Sequence, residues 1–403
     1  MSGLDLSTAG AQAVAEVRRP GRLRRIVGAL WRYLFGALLA MNPVSAIAVV
    51  GWTNRWVQRA VVRRLCKLSP TAQTFESFVQ DNDDARSLLR SPNWITRQDF
   101  RRELAALESA SKLRRAWFSL TSAWHSLYRN FRIGLLALFN TWVLTIPACF
   151  FWLYGWFAGW NNSFHKGYEH AWVGPVTGML GVALFIAVMF YVPLAQARQA
   201  VTGDWKSFWD GRFLRTLQAQ SWKRSILVAA GYSLISLPFS ILLTLPGFFP
   251  QISPELAEFS DAEVLSFLRR YYFGVALYGF AAFVALRWIS GRAYTSALLS
   301  AWKRGRIERS ELAPVEARVL DSLGLLPPVE DPKRGILPAV RATSHRAVRW
   351  ACGALAVFAW FSFVAQIFVR EFLNYHPVIG WLNQALVQLP WFSHIPSHLS
   401  DGV

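Results

Sequence analysis

The densest group of side chains able to do chemistry is the run Asn161-Asn162-Ser163-Phe164-His165-Lys166-Gly167-Tyr168-Glu169-His170. His165, Glu169 and His170 bring two imidazoles and a carboxylate, donors that suit zinc or copper. Their spacing fits neither HExxH nor HxxEH, which set the ligands on one helical face, and Gly167 disfavours a helix. Five of the seven histidines (His165, His170, His376, His394, His398) fall in stretches read below as outer-facing. There an imidazole can equally hydrogen-bond lipid headgroups and loop carbonyls. The expectation is no bound metal and no cofactor, with His165, Glu169 and His170 as the only candidate ligands.

Other chemistries find less support. There is no Gly-x-Ser-x-Gly elbow and no glycine-rich phosphate loop. Ion-coupled transport usually needs a carboxylate or histidine within apolar stretches, and none is there. Those stretches do hold Asn140, Thr141, Thr145, Ser233, Ser236, Ser240, Thr244 and Gln366, with Pro147, Pro238 and Pro246. Asn140, Thr145, Pro147 and Pro238 could line a polar path at helix breaks. The competing role for small polar residues is close helix–helix contact.

The elements that carry these residues follow from composition. Of 403 residues 53% are hydrophobic and only 17% charged, against about 25% charged in soluble domains. The apolar residues gather into six stretches, Tyr33 to Trp52, Ile133 to Trp160, Val173 to Pro193, Ser225 to Phe249, Tyr271 to Ile289 and Ala351 to Val369. None contains Asp or Glu, and the one internal basic residue, Arg287, is near enough to an end to reach headgroups. Stretches of about 20 apolar residues predict membrane-crossing helices, and the alternation of a β-barrel is absent. The N-terminus has no signal-peptide core. The expected fold is all-α and polytopic, and a soluble enzyme is excluded.

Orientation comes from charge. Segments 1–26, 53–132, 194–224 and 290–350 hold 37 of the 43 Lys and Arg, which places them on the cytoplasmic side. The net charge of +19 is thus a threading signal, and no nucleic-acid partner is expected. Basic segments flank Tyr33 to Trp52 on both sides, and Asn42-Pro43 breaks it in the middle. It is therefore read as a re-entrant or interfacial hairpin beside five spans, the alternative being six spans. The resulting map is a basic N-terminus (1–32), the hairpin (33–52), a basic helical segment (53–132) and a four-span core (133–289) with an amphipathic loop (194–224). A basic Pro-containing segment (290–350), a last span (351–369) and an outer-side interfacial tail (370–403) complete it. The N-terminus is then cytoplasmic and the C-terminus outside.

Two amphipathic elements punctuate this map. A helix from Thr96 carries Phe100, Leu104, Leu107, Leu113, Trp117, Leu120, Trp124, Leu127 and Phe131 on one stripe, with Arg114 and Arg115 off it. A second has Trp205, Phe208, Trp209, Phe213 and Leu217 on one face, flanked by Lys206, Arg212 and Arg215. Basic, Trp-rich helices of this kind rest on anionic headgroups or pack on the protein's own surface. The expected lipid-interface residues are Trp117, Trp124, Arg114, Arg115, Trp205, Trp209 and Arg212. Segment 310–342, with five prolines, reads as a linker, and Val378 to Leu389 as a short helix on the outer leaflet.

Gly51-Trp52-Thr53-x-Arg55, Gly159-Trp160-Asn161-Asn162-Ser163-Phe164-x-Lys166-Gly167-Tyr168-Glu169 and Pro193-x-Ala195-Gln196-Ala197-Arg198-Gln199-Ala200-x-Thr202-Gly203-Asp204-Trp205 resemble signatures of uncharacterised multi-pass bacterial inner-membrane proteins. The resemblance covers about 45–290. It implies a bacterial plasma membrane, and that family carries no assigned activity. The expected function is that of a non-enzymatic membrane scaffold or organising subunit, engaging anionic lipid of the inner leaflet and a protein partner or a second copy. The alternative is a channel or permease for a small solute through the proline-broken spans.

Overall fold

The computed structural model describes residues 22–69, 75–81, 92–95, 100–107, 111–160, 172–322 and 324–325, and at the C-terminal side 347, 350–351, 354, 383–384 and 386–393. The described residues are mostly helical, with no strand among them. In order they form α1 (Arg22–Ala40), α2 (Pro43–Leu68), α3 (Phe75–Asp81), α4 (Phe100–Ala105), α5 (Lys112–Trp160) and α6 (Val173–Thr202). A 3-10 turn (Trp205–Trp209) leads to α7 (Gly211–Thr244). Short turns around α8 (Phe249–Ile252) then lead to α9 (Asp261–Lys303) and α10 (Pro314–Ser322).

Among the described residues three helices are long and apolar enough to cross a membrane: Lys112–Phe151, Val173–Thr202 and Asp261–Lys303. They coincide with the second, third and fifth apolar stretches. The fourth, Ser225 to Phe249, is helical to Thr244 and continues as a 3-10 turn. Of the last stretch only Ala351 and Ala354 fall among the described residues.

Local chemistry sets the breaks. The first apolar stretch divides at Met41-Asn42, where Asn42 caps α2 by accepting from the Val44 N–H and Pro43 takes the first helical position. Gly203 ends α6 in the left-handed region, φ 72°, and Asp204 and Asp210 cap the two elements that follow. Ser260 and Glu263 form a capping box at the start of α9. The expected helix from Thr96 is instead two, since the chain turns at Ala106-Leu107 after α4 and becomes helical again at Lys112. From there α5 runs without interruption through Pro147 to Trp160, so the Trp-rich stripe and the apolar stretch are one helix.

α5 and α6 form a hairpin, α2 crosses α5, and α9 packs on α7, α1, α2 and α6. Two crossings need glycine. A Cβ on Gly134 would meet the Ile47 carbonyl oxygen at 1.8 Å, and one on Gly51 the Asn130 carbonyl oxygen at 1.8 Å. Backbones this close are characteristic of helices packed through small residues. Beside the crossing Trp52 stacks on Trp94 at 4.4 Å, and their indole N–H groups donate to the carbonyls of Pro92 and Arg32.

Segment 310–342 departs from the linker reading at its start. Pro314–Ser322 is a helix with Glu316, Val319 and Leu320 buried. Pro314 stands at a helix start, where its missing N–H costs nothing. Glu316 accepts from the Ala313 N–H and the Tyr294 hydroxyl and lies 3.4 Å from Arg198, which also pairs with Asp210 at 2.6 Å. The expected helix over Val378 to Leu389 does not reach its end as a helix. Residues 386–393 form a turn, Leu386 has φ 64°, and Leu386, Val387, Leu389, Trp391 and Phe392 are buried in the bundle.

Candidate anion site

α2 leaves its N-terminal crossing as a basic helix. Arg59, Arg63 and Lys67 recur at four-residue spacing, with Arg64 beside them, and share one face with Trp56 and Ala60. This face meets α9 where Gly291 lets the chains approach. A Cβ there would come within 3.0 Å of the Val57 side chain and 3.1 Å of the Val61 side chain. Between the two helices lies a cavity of about 400 Å³. Its floor is Val57, Val61 and Gly291, and its walls add Trp288, Arg292 and Thr295 to the α2 residues.

Among the described residues five cations and no carboxylate line this cavity. Arg292 lies over the Trp288 ring at 4.6 Å, and Arg59 and Arg63 lie over Phe75 at 5.4 and 5.9 Å. The Arg64 Nη2 reaches the Ser296 hydroxyl at 3.5 Å, while its buried Nε has no partner among the described residues. Burial first, and then Arg292 and Arg224, push the Arg64 guanidinium below its ordinary value. Crowded cations that disfavour their own charge are relieved by an anion. The apolar floor and the two indoles suit an anion that carries hydrocarbon.

The residues singled out in the sequence sit elsewhere. On α5 the arrangement is inverted with respect to a water-soluble helix. Trp117 and Trp124 are 66% and 72% exposed, with Leu113, Leu120 and Tyr128 on the same outward stripe, whereas Ser122, Ser126 and Asn130 are buried. Arg114 and Arg115 are exposed beside that stripe. Trp205, Trp209 and Arg212 are exposed. Asn140 is buried, donates to the Trp205 carbonyl and accepts from the Trp209 indole at 3.0 Å, so both ends of its amide serve the 3-10 turn. Thr145 is buried and accepts from Gln388 at 2.6 Å. Pro147 and Pro238 face outward, so these four residues do not share one lining.

His165, Glu169 and His170 lie outside the described residues. Among the described residues no cluster of three His, Cys, Asp or Glu could hold a metal ion. Sequence reading noted the α2 cations as an orientation signal and missed the cavity. The four-residue spacing on α2 was a usable sign, but its pairing with Trp288 and Arg292 depends on packing across more than 200 residues. Comparison of the chain with family models, with curated proteins and with solved structures finds no match.

Proposed function

We propose that this is a non-enzymatic integral membrane protein of the bacterial inner membrane that holds an anionic phospholipid in the cavity between α2 and α9 and organises other membrane components around it. One observation carries the reading: a cavity lined by Arg59, Arg63, Arg64, Lys67 and Arg292 over an apolar floor, with Trp56 and Trp288 at its side. Phosphate oxygens suit the guanidinium groups, acyl carbons suit Val57 and Val61, and indoles prefer the headgroup level. The outward stripe on α5 supports the same environment, since exposed Trp117 and Trp124 are favourable against lipid and costly against water. In this reading the basic end of the bundle faces the cytoplasm and Tyr33 to Trp52 re-enters there, with five spans crossing.

The test is thermal unfolding of the full chain, delipidated in neutral detergent, with phosphatidylglycerol or phosphatidylcholine added. Near a membrane surface each basic residue contributes about 1 kcal/mol to binding an anionic lipid. Changing Arg64, Lys67 and Arg292 together to Gln therefore weakens phosphatidylglycerol binding about 100-fold. Equal stabilisation by both lipids, or no loss in the triple variant, overturns the proposal.

A further inference from the structure

A second positive centre lies deeper, and nothing in the lipid reading uses it. Arg287 on α9 is buried, only 4% exposed. Its Nη2 donates to the Val387 carbonyl at 2.9 Å and its guanidinium lies over the Phe283 ring at 4.8 Å. Among the described residues its Nε and Nη1 hydrogens find no acceptor. No carboxylate pairs with Arg287 among the described residues. A buried cation without a counter-charge is the arrangement that interiors avoid, and in apolar surroundings it marks a ligand position.

The group that Arg287 does touch is a backbone oxygen delivered by the C-terminal turn. Gln196 on α6 donates to the same Val387 carbonyl at 3.1 Å and to the Thr141 hydroxyl at 3.0 Å, and its own Oε1 has no partner among the described residues. Two donors from two helices thus converge on one oxygen. The turn is retained by side chains that can be altered separately. Gln388 donates to Thr145, and Asn383 donates to the Trp391 carbonyl at 2.8 Å while accepting from the Leu389 N–H at 3.2 Å.

We propose that Arg287 and Gln196 form an internal site for a small monovalent anion, such as formate or chloride, and that the Val387 carbonyl holds the place of that anion when the turn is docked. Arg287 is the one cation that contacts the Val387 carbonyl among the described residues, which matches a single negative charge, and a phosphate dianion would leave uncompensated charge in an apolar interior. Release of the turn exposes the free Nε and Nη1 hydrogens and the Gln196 amide together. Docking and anion binding are then competitive.

The experiment uses the full chain in nanodiscs of zwitterionic lipid, with 100 mM potassium formate or potassium chloride set against potassium gluconate of the same ionic strength, whose anion is too large for the site. In Asn383→Ala with Gln388→Ala, formate or chloride raises Tm by about 3 °C or more, and in the wild type by less than about 1 °C. Adding Arg287→Met abolishes the shift, while the lipid-cavity variant Arg64→Gln leaves it intact. Gln388→Ala alone replaces the double variant if that one does not fold. No anion-dependent shift in the loosened chain, or an equal shift in Arg287→Met, overturns the proposal.

Discussion

Replacing Gly134 with alanine tests how closely α2 and α5 cross. A Cβ built on Gly134 lies 1.8 Å from the Ile47 carbonyl oxygen and 2.9 Å from the Gly51 amide nitrogen, both backbone atoms that cannot rotate away. The crossing must open by about 1.2 Å before the shorter contact reaches even 3.0 Å. That opening loosens the neighbouring Arg55–Asn130 hydrogen bond, now 2.8 Å, and the contacts of buried Ala137 and Leu138. Helix propensity alone favours alanine by about 1 kcal/mol, whereas overpacking costs about 1–3 kcal/mol and most where backbone must move. Overpacking therefore decides the sign, with a net loss of about 2 kcal/mol. At roughly 2 °C per kcal/mol for long chains, Tm falls by about 4 °C, read from tryptophan fluorescence on heating. Gly274→Ala is the control, because a Cβ there meets nothing within 4 Å and Tm should hold or rise. Equal Tm values for the two variants would refute the crossing geometry.

Three further outcomes are expected. Glu316→Gln leaves buried Arg198 with Asp210 as its remaining carboxylate and costs about 3 kcal/mol, measured as a lowered Tm. Glu263 is held below the usual carboxylate value by the Ser260 hydroxyl and then the Ser260 N–H. A depressed carboxylate stabilises above its unfolded pKa and loses that effect as pH falls through its folded value. The first turn of α9 should therefore exchange its amide hydrogens faster below about pH 4.5, corrected for intrinsic rates, and no change would remove the cap from the account. A reporter joined after Ser322 should read cytoplasmic, and an external signal would reverse the proposed orientation.

Much of the fold was legible because its causes are local. Asn42-Pro43 announced a break, and the structure breaks there with Asn42 as the cap. Three of the apolar stretches became helices long enough to cross a membrane, since length and hydropathy are properties of contiguous sequence. The Trp117 and Trp124 stripe was readable from helical spacing, and it is exposed. What stayed hidden depends on distant contacts. Arg287 read as a residue able to reach headgroups, because only tertiary packing brings Val387 to it across 100 residues. Pro314 read as part of the linker over 310–342, although the same residue starts α10. The cavity was half visible as a basic face on α2, and its Trp288 and Arg292 wall comes from a helix far along the chain.

Native mass spectrometry of the chain released from its own membrane in mild detergent tests the lipid reading most directly. The account predicts that the wild type carries a retained anionic phospholipid, and that the Arg64, Lys67 and Arg292 to Gln variant loses it while keeping the same unfolding temperature in zwitterionic lipid. A wild type that retains no lipid, or a variant that retains it equally, would contradict the assignment of the cavity between α2 and α9.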